Sequence, residues 1–449
     1  MPLRRMVNRF LFTLILCSAV PALAKAPKVA ELSPANGAAD VDPDTKELRI
    51  VFDCDMSTMG WSFCGGGPTY PPIQGDPKWI NKRTIVAKVR LQPDHDYRLS
   101  LNCPPAENFR SADGTPLKPV QWSFSTASVE AKPDKAEQKK LNEQCLKQLM
   151  TLLKDHYSYY DLRVDDWQAL EKKHRKKILG AATTRAWVKE AAAMLAEAKD
   201  VHMLLNFKGQ QTPTHIRTYK SNINIDGVKS VLPGFKQRNP SVSTARTDDG
   251  IGYILITTLA VNGKKDLEQV QEVLDEYKDC KALILDLRAN NGGSEPLAKP
   301  IAAWFVKGEK VYSKSVSRDP KSKTGFTEES SRTIQGNKPP RQFDKPVAVL
   351  IGPGAISSGE SFVLMMKQGE KVTLIGSPTA GCSGNPKPYK MENDVEIFIP
   401  SWKDMLPDGT CLEGKGIEPD VKVKAKAADF EDDDPVIKQA LRILRKKDN

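Results

Sequence analysis

Histidine is scarce in this chain, with five among 449 residues, and no two cysteines form a Cys-x-x-Cys pair or stand at zinc-finger spacing from a histidine. A structural zinc site and dithiol redox chemistry therefore have no ligand or thiol pattern to rest on. Uninterrupted apolar runs of the ~20 residues that a membrane-spanning helix needs are also missing. Dense basic clusters interleaved with aromatics are absent too, although the formal charge is +11, so the basic excess reads as solvated surface rather than as a nucleic-acid footprint. What remains is an ordinary globular composition, with 39% hydrophobic and 27% charged residues. The length allows two to four units at the usual ~100–200 residues per domain.

The first residues carry Arg4, Arg5 and Arg9, then the apolar run Phe10–Leu16, then Ala22-Leu-Ala24 before Lys25. A charged start, a short apolar stretch and a small-x-small site predict a secretory signal over residues 1–24, cleaved after Ala24. The expected location is periplasmic or secreted. Seven cysteines then remain, an odd number, in a compartment that permits disulfides.

Residues 25–127 alternate short β-type runs with Pro, Gly, Asn and Asp breaks. Glu47–Phe52, Thr84–Leu91, Tyr97–Leu101 and Gln121–Thr126 are the runs, which predict a small β-sandwich. Cys54, Cys64 and Cys103 offer a bridge within it, and Cys64-Gly-Gly-Gly67 reads as a loop because no helix pattern follows. Residues 128–207 form a helical lead: Leu141, Cys145, Leu146, Leu149, Leu152 and Leu153 share a helical face, and a second helix follows Thr184.

Residues 208–449 change character from Gly250 onward. Ile251–Ile256, Ala282–Leu287, Val347–Ile351 and Val372–Ile375 are nearly continuous apolar runs, as parallel strands covered on both faces would be. Helices are expected between them at 266–277, 295–306 and 359–367, and Asp434-Pro435 reads as an N-cap and first position of a last helix. The pattern predicts an α/β core.

Ligands bind at strand ends in such sheets, which directs attention to two turns. Asp286-Leu-Arg-Ala-Asn-Asn-Gly-Gly-Ser294 places paired glycines after a strand, and Ile351-Gly-Pro-Gly-Ala-Ile-Ser-Ser-Gly-Glu-Ser361 places a serine pair between a strand and a helix start. Ser357 there reads either as a helix N-cap or as a nucleophile, with the Ser358 N–H aimed at an oxyanion. A serine nucleophile needs a base. His202, in Lys199-Asp-Val-His202, lies at a helix-to-strand junction where a ring can point into a cleft.

Taken together, residues 140–425 resemble the tail-specific, or C-terminal processing, serine peptidases. The matching pieces are Lys199-Asp-Val-His202, the Asp-Leu-Arg-x-Asn-x-Gly-Gly turn, Ser357-x-x-Glu360, Gly376-Ser-Pro-Thr-Ala-Gly381 and Glu413-Gly-Lys-Gly-Ile-Glu-Pro-Asp420. The resemblance implies a core of the crotonase and Clp-protease type built from ββα repeats, and peptide-bond hydrolysis through an acyl-enzyme. Relatives with a Ser-Lys dyad carry lysine directly after the last glycine of that Gly-x-Pro-Thr-x-Gly segment, where this chain has Cys382. The tricorn-like branch, with Ser, His and an acid, is the better match. It implies Ser357 as nucleophile, His202 as general base and Glu413 as orienting acid. The Ser358 N–H with that of Gly293 or Gly292, Gly293 preferred, would make the oxyanion hole.

Fewer than fifty residues separate His202 from Gly250, too few for the PDZ module of many relatives. The opening Leu32-Ser-Pro-Ala-Asn-Gly37 is similar to bacterial immunoglobulin-like modules, which implies a spacer or an envelope-binding role. Expected partners are a peptide or protein substrate and a cell-envelope ligand of the β-module, with no nucleic acid and no cofactor. A Cys382–Cys411 disulfide is expected beside Glu413. Two other readings use the same residues: an inactive peptide-binding envelope protein, and an esterase.

Overall fold

The computed structural model describes residues 26–103, 105–128 and 134–446. The segment 1–24, read above as a signal, lies outside the described residues. The chain divides into two compact units, Met1–Lys132 and Pro133–Asn449.

Among the described residues the first unit holds β1 (Val29–Ser33), β2 (Ala38–Val41), β3 (Glu47–Phe52), β4 (Phe63–Cys64), β5 (Lys78–Asn81), β6 (Thr84–Lys88), β7 (Asp96–Leu101) and β8 (Val120–Thr126). They make two four-stranded sheets, ordered β1-β3-β6-β5 and β2-β8-β7-β4. Period-two alternation turns Leu48, Ile50 and Phe52 of β3 inward, where they share a core with Tyr97, Leu99 and Leu101 of β7 and Trp122 and Phe124 of β8. Cys64 and Cys103 form a disulfide. β6 ends at Lys88 rather than Leu91, and Val89, whose N–H still reaches the Lys46 carbonyl (2.9 Å), makes an isolated bridge to Ile73.

The second unit begins with helices α1 (Lys135–His156), α2 (Tyr160–Arg163), α3 (Trp167–Leu179) and α4 (Thr184–Leu195), then strands β9 (Leu204–Phe207) and β10 (Gln210–Pro213). Asp134, Asp166 and Thr183 cap α1, α3 and α4 through their side-chain oxygens. Next come α5 (Ile225–Val231), β11 (Lys236–Asn239), β12 (Val242–Arg246), β13 (Ile251–Ile256), α6 (Lys264–Tyr277), β14 (Ala282–Asp286) and α7 (Lys299–Ala302). The chain continues through β15 (Glu309–Ser317), β16 (Ser330–Gln335), β17 (Val347–Ile351), α8 (Ser358–Met366), β18 (Val372–Gly376), β19 (Pro386–Lys390), β20 (Glu396–Pro400), β21 (Trp402–Met405), β22 (Val421–Lys422) and α9 (Pro435–Lys446).

The central sheet is ordered β11-β12-β13-β14-β17-β18-β22, with β13 through β22 parallel. Its inner strands are buried along their whole length, which is why they read as apolar runs without alternation. One face packs on α6, α7 and α8, and the other on α5 and α9. The helical lead packs elsewhere: α1, α3 and α4 share a core with β9 and β20 of a four-stranded sheet, β10-β9-β20-β19. A third sheet runs β16-β15-β21. The protein is thus a multidomain mixed α/β chain with several sheets.

One expected helix is much reduced. Residues 295–306 hold only a 3-10 turn, Glu295–Leu297, and the four residues of α7. Pro300, in the interior of the expected helix, removes a backbone donor, so a continuous ladder cannot form. No described helix is long and apolar enough to cross a membrane.

Candidate active site

The carboxyl ends of β13, β14, β17 and β18 lie side by side, and the two turns singled out above leave from two of them. Asn290, fully buried, ties these turns together. Its side chain donates to the Ile256 carbonyl (3.1 Å) and accepts the Gly292 N–H (3.0 Å), while its carbonyl accepts the Ile356 N–H (3.1 Å). Gly292 then passes so close to the serine turn that a Cβ would stand 2.7 Å from the Ile356 oxygen and 3.0 Å from Ser357 Cβ. Gly293 adopts φ +135°, and a Cβ there would lie 2.3 Å from the Leu259 oxygen. Both positions exclude a side chain for steric reasons.

Ser357 is half-buried at the N-terminus of α8 and has φ +59°, a strained value for a residue with a Cβ. Its N–H donates to the Cys382 carbonyl (3.0 Å). The Ser358 hydroxyl donates to the Gly293 carbonyl (2.8 Å), which joins the serine turn to the glycine turn. The Gly292 N–H is consumed by Asn290, whereas no described acceptor takes the N–H of Gly293 or of Ser358. Gly293 is also the exposed member of the pair.

Glu360, one turn into α8, is completely buried and anchors the loop under Ser357. Its carboxylate accepts the Gly381 N–H (2.7 Å), the Cys382 N–H (2.9 Å), the Ser357 N–H (3.3 Å) and the Thr379 hydroxyl. Burial pushes its pKa up to about 7, while the Thr379, Cys382 and Gly381 donors pull it down.

Glu413 sits one residue further along this chain of contacts, accepting the Ser383 N–H (3.0 Å) and pairing with Arg163 at the end of α2. Its side chain is wholly enclosed. Burial pushes Glu413 up to about 8, the Asp200 carboxylate adds to the rise, and Arg163 opposes it.

His202 lies between α4 and β9, with only 13% of its side chain exposed and its Nδ1 without a hydrogen-bond partner. Asp200 Oδ1 accepts the His202 backbone N–H (2.9 Å) and stands 3.9 Å from Nδ1, while Asp200 Oδ2 accepts the Tyr157 hydroxyl (2.8 Å). Burial lowers the His202 pKa, Asp200 raises it and Arg163 lowers it further. Ser357 and Glu413 are therefore linked through Cys382-Ser383, whereas His202 is joined to Asp200 and feels Arg163 only through its charge. Both oxygens of Glu413 are directed at Arg163 and Ser383 rather than at the imidazole.

Three of the other four histidines are occupied elsewhere: His95 meets the Pro68 carbonyl, His174 meets Glu197, and His156 stacks on Tyr389; His215 follows Thr214, whose hydroxyl donates to the Met203 carbonyl (2.7 Å). The expected Cys382–Cys411 disulfide is not formed, and both thiols are free. Cys382 is locked beneath Ser357 by Glu360, whereas Cys411 packs against the helical lead. Burial, with Glu413 and Glu360 nearby, pushes the Cys382 thiol up to about 12, which removes it as a nucleophile near neutral pH. Among the described residues no cluster of His, Cys, Asp and Glu could hold a metal. A cavity of about 1030 Å³ lined by Arg246, Asp249, Lys438 and Arg445 beside α5 and α9 includes none of the residues above.

Two participants were not singled out from the residue pattern: Arg163 and Asp200. For Asp200 a signal existed, an acid two residues before the chosen histidine. Arg163 lies 250 positions from its partner, and nothing local marks it.

Comparison with known proteins places part of the chain among peptidases by similarity. Residues 250–423 match the model of peptidase family S41, a stretch that contains Gly293, Ser357 and Glu413 but not His202. The carboxy-terminal processing protease CtpA of Bacillus subtilis (strain 168) is 28% identical over 211 residues, 46% of this chain and 42% of that protein. The chloroplastic carboxyl-terminal-processing peptidase 2 of Arabidopsis thaliana is 26% identical over 238 residues, 51% of this chain and 42% of that protein. The chain spans about two fifths of the length of these curated relatives. A solved structure from Parabacteroides merdae ATCC 43184, described provisionally as a peptidase, superposes with a TM-score of 0.59 at 22% identity, covering 68% of this chain and 96% of that one. That likeness is one of fold.

Proposed function

We propose that this chain is an exported serine peptidase that cleaves peptide bonds through an acyl-enzyme on Ser357. One observation carries the reading: a strained serine at the start of α8 stands beside two backbone N–H groups, of Ser358 and Gly293, for which the described residues provide no acceptor. In a turn held this tightly, free N–H groups are the donors that developing negative charge on a substrate carbonyl requires, and each is worth roughly 3 kcal/mol in the transition state.

Ser357 Oγ attacks the carbonyl carbon, and His202 takes the hydroxyl proton. The tetrahedral oxyanion rests on Ser358 N–H and Gly293 N–H. Collapse expels the amine, which receives the proton from His202, and water then repeats the sequence on the acyl group. Glu413 is the acid to which the resemblance gives the orienting task; here it is buried next to the Ser383 turn with its oxygens engaged by Arg163 and Ser383, so it acts on the imidazole only through that pair. The low pKa direction of His202 suits the role, since a neutral ring is available to accept a proton. The family match over residues 250–423 supports a peptidase reading.

The two-sheet unit is, in this reading, an immunoglobulin-like module that binds cell-envelope material, and residues 1–24 direct export. A fluorophosphonate probe tests the core of the proposal. Wild type is expected to label on Ser357, Ser357→Ala to lose the label, and His202→Ala to label at least about 10³-fold more slowly. Labelling that survives Ser357→Ala would refute it. Peptide and ester panels separate peptidase from esterase.

A further inference from the structure

The carboxylate that stands nearest the His202 ring is Asp200, not Glu413. Asp200 is 1% exposed, and its position is overdetermined: Oδ2 takes the Tyr157 hydroxyl, and Oδ1 takes the His202 backbone N–H. The same Oδ1 lies 3.9 Å from His202 Nδ1, a buried nitrogen with no hydrogen-bond partner among the described residues. Leaving a buried polar atom unpaired is costly, so a small ring rotation that brings Nδ1–H to Oδ1 is favoured. Catalytic hydrogen bonds of this kind commonly tighten only when substrate enters.

Charge counting points the same way. The charged groups that face His202 are Asp200 on its own turn, Arg163 from the end of α2, and Glu413 behind Arg163; Tyr157 from the end of α1 is the other titratable neighbour. Arg163 and Glu413 are paired with each other, so their charges largely cancel. The negative charge left to balance an imidazolium is that of Asp200.

We propose that Asp200 is a positioning residue of the peptidase site, holding His202 through Nδ1 so that Nε2 faces Ser357, while the Arg163–Glu413 pair closes the site behind it. The inference rests on the Ser357–His202 reading above and sharpens it. It assigns to an Asp-x-His turn the orienting task that the resemblance gives to Glu413 alone.

The test is the rate of fluorophosphonate labelling of the full chain against pH. Asp200→Asn keeps the size of the side chain and removes the anion. It is expected to slow labelling by about 10²- to 10⁴-fold and to move the acid-side midpoint down by about one pH unit. Tyr157→Phe removes one donor from Asp200, leaves more of its negative charge to face the imidazolium, and is expected to move the midpoint up. A folded Asp200→Asn protein that labels within about threefold of wild type at an unmoved midpoint overturns the proposal. Should that variant fail to fold, an unmoved midpoint in Tyr157→Phe overturns it instead. Persisting label in Ser357→Ala would sink the underlying peptidase reading, a result distinguishable from either.

Discussion

At the scale of single residues, the site depends on acceptors that cannot be exchanged for donors. Glu360 receives four donors on two oxygens, and above pH 7 its carboxylate is suited to all of them. In Glu360→Gln one oxygen becomes an NH₂ that confronts two of those donors. We expect a loss of about 1–3 kcal/mol in urea unfolding at pH 8, and a larger proportional loss of Ser357 labelling, because the Cys382 carbonyl that positions Ser357 moves with the turn. Equal stability and undiminished labelling would show that the turn is held by other contacts. His202 gives a second, pH-linked expectation. Its folded-state pKa is depressed, so between that value and the ordinary 6.5 the unfolded chain binds a proton that the folded chain refuses. Stability therefore falls as pH drops below about 6.5, and His202→Gln removes that part of the slope. Comparing urea midpoints at pH 5 and 7.5 for the two proteins checks the sign.

Among whole elements, the last helix is anchored by one acid with two tasks. Asp434 Oδ1 caps α9 by accepting the Val436 and Ile437 N–H groups (3.1 and 2.9 Å), and the same carboxylate pairs with Arg288, which Asp286 also binds. All three charged side chains are completely enclosed. Breaking such a pair strands a buried charge, so Asp434→Ala is expected to cost about 3–5 kcal/mol, with the lost cap included. Asp434→Asn retains the cap and should cost less; chemical denaturation of both variants decides it. The cap itself was legible from Asp434-Pro435, and so were the buried parallel strands, whose apolar runs have no alternation to mislead. β15 and β16 were not, since Lys310, Ser313, Lys314, Ser315 and Ser317 give no apolar rhythm and the ladder is supplied by long-range pairing to β21. The candidate site divides along the same line. Ser357, Gly292 and Gly293 sit in turns with a local signature, whereas Arg163 reaches Glu413 across 250 residues, a contact that only tertiary packing creates.

Taken as a whole, the molecule keeps its chemistry in one of its two units. The core built on β3, β6, β7 and β8 draws only on residues 29–124, and every residue of the proposed site lies beyond residue 133. Each unit has an apolar centre of its own, the requirement for independent folding. Residues 133–449 alone should therefore label with fluorophosphonate within about threefold of the full chain, since none of the hydrogen bonds described around Ser357, His202 and Glu413 involves the first unit. The Cys64–Cys103 bond closes a loop of sequence separation 39 within the first unit, a constraint worth about 3–4 kcal/mol. Calorimetry of the full chain with and without reductant should then shift the transition of the first unit and leave the transition of residues 133–449 in place, with labelling unchanged. If reduction abolished labelling, or if residues 133–449 were inert while folded, the first unit would be part of the catalytic machinery and the division of labour argued from the two cores would fail.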